Sequence, residues 1–223
     1  MRPVLKICGI MRAADVRVCA AAGVDIAGFV CEYPVDVPWN LSREQAGALL
    51  ESVSGPMKRC IVTGGGFEKL YALAKSLRPD YIQLHYREDL ALTRALADAL
   101  GPMGVQVIKT LPQDAAQRRA QFGTADIGAC AKLLDTSGAA YILCDARAPE
   151  NAAHSGLRAD IALYEAVRAA ARTPVLLAGG ITPENVGALL SCVQPDGIDV
   201  MTGVERRPGC KDAGKIAELA RKI

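Results

Sequence analysis

The sequence predicts one α/β domain over residues 1–223, a single (β/α)8 TIM barrel with a parallel sheet closed on itself. Three observations lead there. Short aliphatic runs alternate with alanine-rich, helix-like runs from end to end, and eight such pairs can be marked. The aliphatic runs are continuous rather than alternating, the pattern of parallel strands covered on both faces. No linker or low-complexity tract divides the 223 residues, and the alternative, an open doubly wound sheet, rarely fits eight units into that length.

Residues 3–9 form the first predicted strand, an apolar run that carries Lys6 and Cys8 and ends in Gly9. Alternation puts Leu5 and Ile7 on one face and Lys6 and Cys8 on the other. A basic and a nucleophilic group sharing a face just before a turn suit the mouth of a barrel. The competing reading makes Cys8 a small buried hydrophobe.

A helix over residues 12–22 follows, and Gly23 can end it. Residues 25–31 are the second strand, leading into a Pro-rich loop at 33–40. Ser42 reads as a helix N-cap, with Gln45 completing a capping box. The third strand, 57–62, is broken by Gly64, Gly65 and Gly66 before a helix through Ser76. Residues 80–84 are the fourth strand, 89–100 a helix and 104–109 the fifth strand. The stretch 111–128 is polar and weakly periodic, and reads as a helical turn and a loop ahead of a segment at 129–136. The sixth strand, 140–144, ends at Asp145, and a helix spans 160–172. The seventh strand, 174–178, is closed by Gly179 and Gly180, and Pro183 suits the first turn of a short helix. Gly197–Val200 is the eighth strand, and residues 212–223 are the closing helix.

Hydrophobic residues make up 51% of the chain, enough for a sizeable core. The net charge of +2 is spread along the sequence, which argues against a nucleic-acid or membrane partner held by a basic patch. No apolar run reaches membrane-spanning length, and the opening residues lack a signal-peptide pattern, so the expectation is a cytoplasmic protein. Eight widely spaced cysteines without a CxxC pair, and two distant histidines, His85 and His154, point to reduced thiols rather than disulfides or zinc.

The active site of such a barrel lies at the C-terminal ends of its strands. Strand one offers Lys6 and Cys8, strand four Gln83 and His85, strand five Lys109 and strand six Asp145. Strands seven and eight offer Gly179 and Gly180, then Thr202 and Gly203. Such small residues expose backbone N–H groups near a helix start, an anion site suited to phosphate; the competing reading is a pair of tight turns. Cys8 and Asp145 would then face each other across the mouth, placed for acid–base isomerisation of a bound sugar phosphate. The thiolate serves as base if Lys6 lowers its pKa, and the carboxyl as acid if burial raises its own. The competing reading of Asp145 is an N-cap or a loop ion pair.

Lys6-Ile7-Cys8-Gly9 resembles the opening signature of the phosphoribosylanthranilate isomerase family. Gln83-Leu84-His85, the run LAGGITPENV at 177–186, the run GIDVMTGVE at 197–205 and PGCKD at 208–212 fit the same family, in the same order. The resemblance implies a (β/α)8 barrel and the Amadori rearrangement of N-(5′-phosphoribosyl)anthranilate, a step of tryptophan biosynthesis, with no cofactor and no metal. It implies Cys8 as the general base that takes the C2′ proton and Asp145 as the general acid that opens the furanose ring. Gly179, Gly180, Thr202 and Gly203 become the phosphate cradle. Lys6, Gln83, His85, Trp39, Ser155 and Gly156 are the further contacts expected with this phosphosugar, in a monomer or a homodimer.

The departures cluster around the aromatic half of that substrate. The family has Tyr-Pro and then Ser-Pro-Arg before its second helix, the arginine meeting the anthranilate carboxylate. Here residues 32–42 read EYPVDVPWNLS, and Trp39 stands about where the arginine belongs. A neutral aromatic is no bidentate carboxylate clamp, and Asp36 would repel that carboxylate; Arg43, Arg147 and Arg158 are the candidate replacements. The family's Gly-Gly-Thr-Gly reads Ala153-His154-Ser155-Gly156, Tyr86 replaces a glycine after His85, and Thr63 precedes the three glycines where the family has Val-Asn. Two further readings follow: a paralogue acting on another phosphorylated sugar or amine, and a non-catalytic sugar-phosphate-binding barrel. The retained Cys8 and Asp145 argue against the last.

Overall fold

The strand-like runs pair in sequence order, and the last returns to the first. A computed structural model describes residues 2–146 and 159–223. Its parallel strands are β1 (Val4–Ile7), β2 (Ile26–Val30), β3 (Lys58–Thr63), β4 (Tyr81–Leu84), β5 (Gln106–Leu111), β6 (Ala139–Cys144), β7 (Val175–Ala178) and β8 (Gly197–Val200). They form a closed barrel with β8 hydrogen-bonded to β1. The helices between and after them are α1 (Ala13–Ala21), α2 (Arg43–Glu51), α3 (Phe67–Leu77), α4 (Leu90–Leu100), α5 (Ala115–Phe122), α6 (Ile127–Leu134), α7 (Ile161–Ala170), α8 (Val186–Cys192) and α9 (Ala213–Arg221).

Strand alternation divides the core into two layers. Leu5, Ile7, Phe29, Ile61 and Ile198 face outward beneath the helices, while Cys8, Val30, Cys60, Val62, Ile108 and Leu143 fill the barrel. Burying one such side chain contributes roughly 1.5–3 kcal/mol. The predicted capping box is present: Ser42 Oγ accepts from Gln45 N–H, and Gln45 Oε1 accepts from Ser42 N–H. The Asp89, Asp114, Asp126, Asp160 and Asp212 side chains cap α4, α5, α6, α7 and α9 by a single bond each, accepting from the backbone N–H three residues on, each cap contributing about 1 kcal/mol.

Three segments differ from the sequence reading. Residues 115–122 form a full helix, α5, where a helical turn and a loop were expected; half of its residues are polar, which hid the period, yet Arg118, Gln121 and Phe122 are buried. Pro183 lies in a turn, and α8 starts at Val186. An unpredicted hairpin joins β8 to α9, made of β9 (Glu205–Arg207) and β10 (Cys210–Lys211). Strands of three and two residues are too short to show a period. All eight cysteines are free thiols, and only Cys192 is exposed. Among the described residues no helix is long and apolar enough to cross a membrane.

Candidate active site

The β1–β8 register sets Lys6 directly beside Asp199. Lys6 Nζ donates to Asp199 Oδ2 at 2.9 Å, with side-chain exposures of 0% and 7%. Two residues on, Cys8 reaches the mouth. Gly28 on β2 makes room for both groups, because a Cβ there would lie 3.0 Å from Lys6 Nζ and 3.0 Å from Cys8 Sγ. Burial opposes the charge on Lys6 most strongly, but the Asp199 carboxylate together with Cys8 and Cys60 outweighs it and holds the ammonium above its ordinary pKa. Burial also dominates at Cys8 and pushes the thiol up, against the downward pull of Lys6 and Lys211. Lys6 acts on the thiol in the direction the sequence suggests, but burial outweighs it and the negative charge of Asp199 adds to the rise.

A pocket of about 640 Å³, including its open mouth, lies over this pair. Asp145, just past β6, lines it, and so does His85, just past β4. His85 Nε2 lies 3.2 Å from Asp145 Oδ2, and both side chains are nearly buried. The His85 carbonyl accepts from Tyr33 Oη at 2.7 Å, which holds the β4 end in place. Gln83 and Asp199 line the pocket too, and Gln83 Oε1 and Asp199 Oδ1 are buried acceptors with no hydrogen-bond partner. Buried acceptors of this kind are costly unless something donates to them, and the hydroxyls of a bound sugar are suitable donors.

The far wall comes from the ends of β7 and β8. Gly179 and Gly180 turn with φ of +108° and +59°, and Thr202–Val204 form a 3-10 turn. Gly203 is pressed against the β7 loop so closely that a Cβ would overlap the Ile181 carbonyl oxygen. Only glycine permits that approach, and it brings two backbone segments together at one point of the rim.

The opposite, apolar end is built by residues 32–41. The excursion is pinched at its base, where Cys31 bridges to Leu41 and Glu32 N–H donates to the Leu41 carbonyl. Asn40 clips it internally, accepting from Tyr33 N–H and donating to the Tyr33 carbonyl. Tyr33, Val37 and Trp39 face the pocket as a result. Trp39 Nε1 donates to Glu205 Oε1 at 2.9 Å. The same carboxylate oxygen accepts from Lys211 Nζ at 2.9 Å and Gly209 N–H at 3.1 Å, so the hairpin anchors the indole.

Nine of the residues expected at the site thus line one pocket: Cys8, Trp39, Gln83, His85, Asp145, Gly179, Gly180, Thr202 and Gly203. Lys6 lies deeper, fully buried against Asp199. Ser155 and Gly156, with Arg147 and Arg158, lie outside the described residues. Lys109 does not reach the mouth. Its neighbour Ile108 takes the inward face, so Lys109 points toward α5 and donates to Gln121 Oε1 at 2.9 Å. Arg43 is engaged by Glu32 at 3.0 Å, and Asp36 is exposed. Asp199, Tyr33 and Glu205 were missed as site residues. For Asp199 a signal existed, an acid within a buried strand on the face shared with Lys6.

Residues 5–222 match the family described as N-(5′-phosphoribosyl)anthranilate (PRA) isomerase. The N-(5′-phosphoribosyl)anthranilate isomerase of Methanopyrus kandleri is 32% identical over 223 residues, covering 97% of this chain and 96% of that protein. The crystal structure of phosphoribosyl anthranilate isomerase from Thermotoga maritima superposes with a TM-score of 0.79 at 28% identity, over 100% of this chain and 98% of that one. Another phosphoribosyl anthranilate isomerase structure, in complex with reduced 1-(o-carboxyphenylamino)-1-deoxyribulose 5-phosphate, superposes with a TM-score of 0.76 at 26% identity, over 100% of this chain and 98% of that one.

Proposed function

Because the chain belongs to the N-(5′-phosphoribosyl)anthranilate isomerase family, we propose that its pocket carries out the family's rearrangement with Cys8 as base and Asp145 as acid. The protein is an isomerase of tryptophan biosynthesis, converting an N-ribosylated anthranilate phosphate to a 1-amino-1-deoxyribulose phosphate. The observation that carries the assignment of roles is a single pocket holding a thiol, a carboxyl and the glycine turns of two adjacent strands.

The phosphate rests at Gly179, Gly180, Thr202 and Gly203, whose backbone N–H groups suit an anion. The sugar then lies over Cys8 and Asp145, and the aryl ring over Tyr33, Val37 and Trp39. Gln83 Oε1 and Asp199 Oδ1 accept from the ribose hydroxyls. Asp145 gives its proton to the ring oxygen as the C1′–O4′ bond breaks, and the amine lone pair forms a C1′=N bond. The Cys8 thiolate takes the C2′ proton, and the electron pair passes through C1′ to nitrogen. The resulting enol loses its hydroxyl proton, becomes the C2′ ketone and takes up a proton at C1′. Atoms and electrons balance with no further reactant.

A thiol pushed up by burial is a stronger base once ionised, and Lys6 and Lys211 are the nearby cations that offset its charge. His85 fixes the Asp145 carboxyl through its Nε2 contact, so it acts as a positioning residue. General acid–base groups of this kind each contribute about 10²–10⁴ in rate.

The test is turnover of freshly prepared N-(5′-phosphoribosyl)anthranilate by the wild-type protein, followed by loss of anthranilate fluorescence. Turnover that inorganic phosphate inhibits competitively is expected. Absence of turnover would overturn the reading, and turnover indifferent to phosphate would remove the phosphate cradle from it.

A further inference from the structure

We infer that Lys211 and Glu205 are positioning residues that join the phosphate turn to the ring wall, so that an anion bound at the turn sets the place of the Trp39 indole and tightens the hold on the substrate's aryl half. The inference rests on the isomerase reading above, with phosphate at Gly179, Gly180, Thr202 and Gly203, and adds to it how the two ends of the pocket act on one another.

The link is built by the hairpin between β8 and α9. Its antiparallel register sets Lys211 opposite Glu205. Lys211 Nζ donates to Glu205 Oε1 at 2.9 Å, with side-chain exposures of 1% and 5%. The same oxygen accepts from Trp39 Nε1 at 2.9 Å and from Gly209 N–H at 3.1 Å. The indole is itself buried, so the hairpin carboxylate fixes the polar edge of the ring wall. Burial pushes the Lys211 ammonium below its ordinary pKa, against the upward pull of Glu205, and either charge alone would be costly to keep there.

Lys211 has a second acceptor, and it belongs to the phosphate end. Nζ donates to the Met201 carbonyl at 3.0 Å, and Met201 directly precedes the Thr202–Val204 turn. That carbonyl and the Thr202 N–H are the two ends of one planar peptide unit. A pull on the turn by a bound anion is therefore passed to the ammonium, and a donor at the carbonyl strengthens the N–H at the other end of the amide. Met201 and Trp39 meet again over Gly9, where a Cβ would lie 2.6 Å from Met201 Cε and 3.2 Å from Trp39 Cδ1. The two ends of the pocket thus share a polar link and a packed one.

Coupling of this kind is reciprocal: the factor an anion adds to aryl binding is the factor the aryl group adds to anion binding. Changes within such packed and hydrogen-bonded networks alter coupling by about 2–30-fold. The phosphate takes no part in the bonds that form and break. Through Lys211 and Glu205 its binding helps to place the aryl half over Cys8 and Asp145, a use of remote binding energy at the reacting centre.

The probe is inorganic phosphate, and Trp39 reports on it as the one tryptophan of the chain. Calorimetry should show phosphate binding to the wild type, and Trp39 emission should shift with the same midpoint. Lys211→Met with wild-type circular dichroism should bind phosphate at least about threefold more weakly and show no emission response. Wild-type emission unmoved by saturating phosphate, or a Lys211→Met protein that keeps the response or the wild-type Kd, would overturn this inference and leave the isomerase reading intact. Should Lys211→Met fail to fold, Trp39→Phe decides, because reciprocity makes loss of the indole weaken phosphate binding at the far end of the pocket. A Kd at least about threefold weaker is expected there, and an unchanged Kd would overturn the inference. No phosphate binding to the wild type would remove the phosphate cradle and this inference with it.

Discussion

Replacing Asp199 by Asn separates the electrostatic foundation of the site from its lining. The carboxylate is 2.9 Å from Lys6 Nζ, and the lysine side chain has no exposed surface. Removing one member of a buried pair leaves the other charge uncompensated and costs about 3–5 kcal/mol. At about 2–4 °C per kcal/mol for a chain of this size, Tm should fall by about 6–20 °C. Lys6→Met should cost a similar amount by stranding Asp199. The double variant, Lys6→Met with Asp199→Asn, should be more stable than the sum of the single losses implies, with a coupling of at least about 2 kcal/mol. Denaturant unfolding of the four proteins supplies the cycle. A second readout is specific to the site. Asp199 holds the Cys8 thiol up while Lys6 pulls it down, so Asp199→Asn should lower that thiol's pKa and speed its alkylation by iodoacetamide at pH 8. The measurement needs a Cys192→Ser background, because Cys192 is the exposed cysteine. Additive stability losses together with an unchanged alkylation profile would refute the electrostatic account.

Other predictions test the surrounding structure. Burial lowers the Lys109 pKa from 10.5 to about 8; the unfolded chain binds more protons between those values, so the wild type gains stability as pH rises through them. Denaturant melts should show wild type gaining about 2 kcal/mol on Lys109→Met between pH 7 and 9.5, and parallel curves would contradict the burial. Gly203→Ala sets a methyl against the Ile181 carbonyl, so the affinity for inorganic phosphate, measured by calorimetry, should fall by about tenfold or more; unchanged affinity would place the phosphate elsewhere. Trp39→Phe removes the indole donor to Glu205 while Lys211 and Gly209 keep the carboxylate in place. The loss should be about 1–2 kcal/mol by chemical denaturation, and no loss would mean that the hairpin does not anchor the loop.

Much of the barrel was legible because its signals are local. The run from residue 3 to 9 shows a two-residue period and a terminal glycine within seven positions, and the structure keeps Leu5 and Ile7 outward and Cys8 inward. Ser42 and Gln45 announce their capping box three residues apart. Gly179 and Gly203 mark close approaches at the ends of β7 and β8. What stayed hidden depends on partners far apart in sequence. Trp39 meets Glu205 across 166 positions, and Lys6 meets Asp199 across 193, so neither pair leaves a pattern in a short window. Lys109 was placed at the mouth because the fifth strand was ended there, two residues early. In β5, which runs to Leu111, it is Ile108 that faces inward.

The central claim, that Cys8 and Asp145 perform chemistry rather than hold substrate, is tested most directly by setting turnover beside binding in Cys8→Ala and Asp145→Asn. The ligand for the binding arm is reduced 1-(o-carboxyphenylamino)-1-deoxyribulose 5-phosphate, measured by calorimetry. The account predicts kcat lower by about 10²-fold or more in each variant, with Kd for the ligand within about threefold of wild type, since neither change removes the phosphate site. Unchanged kcat in either variant, or a Kd that weakens in step with kcat, would contradict it.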